Sequence, residues 1–222
     1  FNEPGRPVED PEGNLWVPDQ KGCALRRITP EGEVSTVLGP DVLCNDTTPR
    51  EDTPILDNLQ WDATNGGLVA GGSRTVARPL HDLYTLVWRI APDGTYRRVL
   101  FGKKVTRVSP SKHHLDGVSA IAVDPKGRIF IISRLMLFDR RGWDELQLLR
   151  VDEAGNTVVE VSGAKIPRST WIANHPLDGP VEQAVFNFSH DMCFSPDGTL
   201  FVSDDIFVRR LDTKGQVTTW LF

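Results

Sequence analysis

The chain has 222 residues, 39% of them hydrophobic and 25% charged, with a formal net charge of −5. Its lysines and arginines are scattered, which argues against nucleic acid as a partner, because phosphate backbones are gripped by clustered basic surfaces. No apolar run approaches the roughly 18 residues of a membrane-spanning helix.

Strand-like segments follow one another from the start. Val8-Glu-Asp-Pro-Glu-Gly-Asn-Leu-Trp-Val17 reads as two strands around a tight turn. Leu25-Arg-Arg-Ile-Thr-Pro-Glu-Gly32 is a third strand entering a second turn, and Val34–Leu38 is a fourth. The pattern returns, more loosely, in Leu59–Ala70, then in Val87-Trp-Arg-Ile-Ala-Pro-Asp-Gly94 and Tyr96–Phe101. It returns again in Ser119–Ile132, Leu148-Leu-Arg-Val-Asp-Glu-Ala-Gly155 and Thr157–Val161. The last copy is Asp191–Ser203, Val208-Arg-Arg-Leu-Asp-Thr-Lys-Gly215 and Val217–Phe222. The closing glycines Gly32, Gly94, Gly155 and Gly215 are 62, 61 and 60 residues apart. A fixed internal period marks a repeat architecture. Each unit is four short antiparallel strands, A to D, and no helical period competes with this reading. A repeated four-stranded meander is a β-propeller blade. The expectation is therefore an all-β, single-domain β-propeller over 1–222, with blades at about 1–39, 56–102, 117–163 and 186–222. Arg27, Arg89, Arg150 and Arg210 recur once per blade and read as a structural ladder.

The Asp-Pro-x-Gly-x-Leu-aromatic-Val pattern, followed by Arg-x-Ile-x-Pro-x-Gly-x-Val-x-Thr, resembles NHL repeats. The fourth copy, His190-Asp-Met-Cys-Phe-Ser-Pro-Asp-Gly198, is also similar to the SMP-30/gluconolactonase family. Asp178-Gly-Pro-Val-Glu-Gln-Ala-Val-Phe-Asn-Phe-Ser189 matches the linker before many NHL units. The resemblance implies the propeller fold and says little about activity, since the scaffold hosts unrelated functions. It also implies a ring of six blades. Phe1-Asn-Glu-Pro-Gly5 matches Phe186-Asn-Phe-Ser-His190, and both ends fall at a blade boundary. The expectation is that further blades, or self-association with a second copy, complete the ring.

The A–B and C–D turns of a blade share one face, and here they are tight. The B–C and D–A loops share the other face, and every long insertion is of that kind: Pro40–Leu56, Gly72–Leu83, Lys103–Gly117, Ser133–Glu145 and Ala164–Ser189. All five histidines, His81, His113, His114, His175 and His190, fall on this face. Loops on a rigid scaffold carry function, so the expected role is a binding module for a protein or a small-molecule or glycan ligand. Trp143, Arg140, Arg141 and Trp171 suit such an interface.

Two clusters on this face can carry chemistry. Aligning the A–B turns places His190, Ser119, Asp57 and Gly5 at equivalent steps near the propeller axis, with Asp191 and Asn58 beside them. The SMP-30 resemblance implies calcium or another divalent metal at such positions, and with it a rival function, a metal-dependent lactonase or hydrolase. Only His190 and Asp57, with Asp191 and Asn58 as further candidates, offer ligands. Ser119 and Gly5 cannot complete an oxygen cage, so no stoichiometric metal or cofactor is expected. His113-His-Leu-Asp116 offers zinc ligands or a general base, or is a solvated loop. There is no His-Glu-x-x-His, Cys-x-x-Cys, P-loop or Gly-x-Ser-x-Gly motif.

Three cysteines complete the reading. Cys23 and Cys44 fall in loops of one face, where a disulfide can form, while Cys193 in strand A of blade 4 reads as a buried apolar residue. With Asn45-Asp-Thr47 and Asn187-Phe-Ser189 matching the glycosylation sequon, the expected location is extracellular or periplasmic.

Overall fold

The computed structural model describes residues 1–45, 47, 52–76, 82–101, 105–106, 113–137, 144–154, 157–161, 178–184, 186 and 189–221. Four sheets follow in chain order, antiparallel throughout but for one parallel edge pairing, Val158 with Val105 and Val159 with Thr106. Blade 1 holds β1 (Val8–Glu9), β2 (Leu15–Asp19), β3 (Ala24–Ile28) and β4 (Val34–Leu38). Blade 2 holds β5 (Asn58–Asp62), β6 (Gly67–Val76), β7 (Asp82–Ile90) and β8 (Tyr96–Phe101). The short β9 (Val105–Thr106) precedes blade 3, which is β10 (His113–Val123), β11 (Ile129–Leu137), β12 (Asp144–Asp152) and β13 (Thr157–Glu160). The short β14 (Gly179–Pro180) precedes blade 4, which is β15 (Ser189–Phe194), β16 (Leu200–Asp204), β17 (Phe207–Leu211) and β18 (Gln216–Leu221). Four such blades in succession give the chain a β-propeller fold.

Alternation explains the blades. Along β16, Leu200, Val202 and Asp204 are buried while Phe201 and Ser203 are half-buried, the period of two that a pleated strand imposes. The repeat glycines close the C–D turns. Gly32, Gly94 and Gly215 have φ of 86°, 87° and 82°, a left-handed conformation that side chains with a Cβ resist. In each turn the glycine N–H donates to the carbonyl three residues earlier, at 2.8, 2.9 and 3.1 Å.

The faces then stack. Trp16, Leu25 and Leu38 of blade 1 pack on Leu59, Leu68, Leu86 and Trp88 of blade 2, and Trp16 stacks on Trp61 at 5.9 Å. Val69, Val87 and Val99 meet Ile121, Ile131 and Leu149 between blades 2 and 3. Ala122, Phe130 and Ile132 meet Met192, Leu200, Val202 and Phe186 between blades 3 and 4. Burying each large apolar side chain contributes about 1.5–3 kcal/mol, so these three seams hold the molecule together. Among the described residues no such cluster joins blade 4 to blade 1, and the sheets do not close into a ring. What does span those blades is an ion pair between Arg6 and Asp191.

Several sequence expectations need correction. The stretches after Gly72 and Ser133 are not loops from the outset. β6 and β7 pair as far as Val76 and Asp82, and β11 and β12 as far as Met136 and Asp144. His113 and His114 are strand residues, opposite Leu137 and Met136. Two linker segments become outer edges: β9 pairs with β13 and β14 with β18, giving blades 3 and 4 a fifth strand. Pro40–Leu43 forms one helical turn, with Pro at its start where a missing N–H costs nothing. Cys193 is exposed. Met192 faces blade 3, so the residue after it faces the other way, toward the side of blade 4 where Trp220 is 57% exposed and packs edge-on against Phe201 at 5.3 Å.

Candidate functional site: the long-loop end between blades 1 and 2

Each blade presents the end of its A and B strands to the long-loop end of the axis. The registers equate the blades there. Ser189 pairs with Asp204 and Asp191 with Ser203, which leaves His190 as a bulge. Val118 pairs with Ser133 and Ala120 with Ile132, which leaves Ser119 as the matching bulge. In blade 1, Pro4 bridges to Asp19 and the Gly5 N–H donates to the Pro18 carbonyl at 2.7 Å. In blade 2, Asn58 opens β5 opposite Gly71, with Asp57 just before it. Gly5, Asp57, Ser119 and His190 thus occupy one tier, and Arg6, Asn58, Ala120 and Asp191 the next.

The chain is stitched together at this end. Asn58 Nδ2 donates to the Val118 carbonyl at 3.2 Å, and the Val118 N–H donates to Ser73 Oγ at 3.0 Å. Ser133 Oγ donates to the Gly117 carbonyl. These bonds satisfy bulge groups that the ladder cannot.

Strand B ends in a buried carboxylate in blades 1 and 4. Asp19 accepts the Asn2 N–H at 2.6 Å and pairs with Arg26 at 3.4 Å. Asp204, at the equivalent step, pairs with the fully buried Arg209 at 3.4 Å. Arg209 also reaches Asp178 at 3.2 Å, which ties the linker before blade 4 to its sheet. The Asn2 N–H, working against burial and helped by Arg26, holds the Asp19 carboxyl below the ordinary carboxylate range.

A pocket of about 290 Å³ opens between blades 1 and 2 at this end. Asp19, Gln20 and Asp57 supply its polar wall, and Leu43, Ile55 and Leu56 much of its apolar wall. The Cys23–Cys44 disulfide, with Cα atoms 5.8 Å apart, forms one side. Two glycines make room for the carboxylates. A Cβ at Gly22 would collide with the Asp19 carboxylate, and one at Gly72 with Asp57 and Ile55. Asp19 is buried and holds Asn2 and Arg26, so Gln20 and Asp57 are the polar side chains presented beside the apolar wall, which suits a small ligand with hydroxyl groups.

Two of the candidate ligands for the metal implied by the SMP-30 resemblance, Asp191 and Asn58, are engaged by other protein groups. Asp191 pairs with Arg6. Asn58 is bound to the Val118 carbonyl, and Ala120 offers no donor. Calcium takes six to eight oxygens, and among the described residues no group of three His, Cys, Asp or Glu is placed to hold a metal ion. The His190, His113 and His114 side chains lie outside the described set, as do Trp143, Arg140, Arg141, Trp171, His81 and His175.

The sequence reading reached Asp57 and Asn58 but missed Asp19, Gln20 and Arg6. A signal for Asp19 was present. Only blades 1 and 4 carry a doubled Arg in strand C, and only they end strand B in Asp.

Comparison with known proteins supports the class. No protein-family model matches the chain, and no curated protein matches it in sequence. Solved structures do. A Bacteroides thetaiotaomicron structural-genomics protein of unknown function superposes with a TM-score of 0.55 at 15% identity, over 99% of this chain and 47% of that one. A structure described as a gluconolactonase by its protein family superposes with a TM-score of 0.54 at 14% identity, over 100% of this chain and 64% of the other. Virginiamycin B lyase from Staphylococcus aureus, in a catalytically inactive form with quinupristin, reaches 0.48 at 13% identity over 100% and 56%, too loose to carry an argument. The chain spans about half the length of the first of these structures. The likeness establishes the propeller fold and nothing finer.

Proposed function

We propose that the chain is an NHL- or SMP-30-type propeller segment that acts as a binding module through its long-loop end. Its ligand is a small hydroxyl-rich molecule such as a glycan, taken in the pocket between Asp19 and Asp57. The observation that carries this reading is the pocket itself, whose two carboxylates come from different blades and are each accommodated by a glycine. Carboxylates accept the hydrogen bonds that sugar hydroxyls donate, and such charge-assisted bonds are the stronger kind. The disulfide in its wall supports an extracellular or periplasmic setting.

Saturation-transfer NMR against a panel of mono- and oligosaccharides and sugar lactones tests the reading. At least one sugar should bind, and Asp57→Asn or Gly72→Val should weaken it tenfold or more. Glu31→Lys, in a C–D turn on the other face, should leave binding intact. Binding that responds to Glu31→Lys and ignores Asp57→Asn would reverse the assignment of the face. Lactone turnover that depends on added calcium and stops with chelator would replace the binding reading with the enzyme reading.

A further inference from the structure

On the opposite, tight-turn face, a cleft of about 450 Å³ separates blades 3 and 4. Phe130, Phe194, Leu200 and Leu211 line it, and the two phenylalanines tilt against each other at 5.1 Å. The volume falls in the range of about 300–1,000 Å³ typical of small-molecule sites.

The repeat explains why the seam is open here. Between blades 2 and 3, Arg89 crosses to Glu153 at 2.6 Å and to the Gly127 carbonyl at 2.9 Å, while also pairing with Asp62. One repeat later the counterparts are Arg150, Thr213, Gly198 and Asp124. Asp124 is drawn away by Arg128 at 2.6 Å. Thr213, on the wall of the cleft, has no carboxylate to offer. Arg150 pairs in register with Phe130 and so lies on the side of the sheet that faces blade 4. Among the described residues neither Arg150 nor Lys126, on the rim, has an ion-pair partner. The acids at the rim are oriented by their own turns. Asp197 accepts from Ser195 Oγ and the Thr199 N–H, and Asp212 from the Lys214 and Gln216 N–H groups.

We propose that this cleft binds an organic carboxylate with an apolar body. The ligand's carboxylate takes the place that Glu153 fills one repeat earlier, facing Arg150 and Lys126, and its apolar part lies on the Phe130–Phe194 floor. The clamp between blades 3 and 4 is thus completed by the ligand rather than by the chain.

The test is an NMR titration of the whole chain with 4-phenylbutyrate and decanoate, and with 4-phenylbutylamine as the cationic counterpart. The acids should bind saturably and the amine should not. Arg150→Gln should weaken acid binding at least tenfold. Thr213→Glu should restore the internal clamp, abolishing acid binding and raising the thermal midpoint. Asp57→Asn should change nothing at this site, which separates the proposal from the reading of the long-loop pocket. Equal affinity for acid and amine, or undiminished acid binding in Thr213→Glu, would overturn it. If Arg150→Gln fails to fold, the Thr213→Glu result decides alone.

Discussion

The four repeat arginines occupy one position in the sequence and have four different fates. Arg27 lies over the Trp16 ring at 5.7 Å, Arg89 clamps two blades, Arg150 sits opposite Phe130 in register, and Arg210 stands near Asp197 and Asp212. A uniform ladder is therefore not what the structure contains. The neighbouring blade decides each case, because the acceptor comes from there. Arg89 acts on the titration of two carboxylates. Burial raises the Asp62 carboxyl, but hydrogen bonds from Asn65 and Arg89 outweigh it and hold the group below its ordinary value. Glu153 is likewise lowered, with Arg89 and Arg97 overcoming burial. A folded-state value below the unfolded one contributes stability above the unfolded value, and that stability is lost as pH falls through the folded one. Urea midpoints should therefore drop between about pH 4 and pH 2. Arg89→Met should cost about 3 kcal/mol at pH 7 and should flatten that acid-side slope. An unchanged slope would remove Arg89 from the account.

At the scale of elements, strand existence was legible because alternation and turn glycines are local. Where strands stop was not. β6 and β7 run on past the expected loop boundary through a polar stretch, and β11 and β12 through Leu135, Met136 and Leu137, an apolar signal that the sequence reading passed over. The polar stretch Gly72-Ser-Arg-Thr75 carries no signal of that. The edge strands β9 and β14 are two residues each and were invisible for the same reason. The segment between β4 and β5 is a different kind of element, anchored by a covalent bond rather than a ladder. The Cys23–Cys44 disulfide closes a loop of 21 residues, for which chain entropy predicts about 3 kcal/mol. Cys44→Ser should lower the unfolding free energy by about that amount. It should also release the wall of the Asp19–Asp57 pocket, so that ligand affinity falls along with stability. Chemical denaturation with and without reductant checks the first, and titration at a temperature where the variant is folded checks the second.

At the scale of the molecule, three apolar seams carry the stability, and the blade 4 to blade 1 junction carries little. Arg6 and Asp191 are 67% and 54% exposed, and an ion pair in such a setting contributes at most about 1 kcal/mol. Asp191→Asn should therefore shift the unfolding free energy by less than about 1 kcal/mol, and 1 M salt should erase the difference between variant and parent. A loss of several kcal/mol in thermal or urea unfolding would mean that the pair organises the axis.

The sequence by itself determined the all-β class and the repeated four-stranded unit. Each of these follows from a period of two along a strand and of about sixty along the chain. Only the tertiary structure decided which polar residues meet. Asp19 and Asp57 are brought together because blade 2 stacks on blade 1, and Arg6 and Asp191 because the segment curves back on itself. Among the described residues Arg150 has no carboxylate partner, and blade 4 carries Thr213 where blade 3 carries Glu153. Such pairings join residues some forty to nearly two hundred positions apart. They depend on the angle and distance between sheets, which local propensity does not encode.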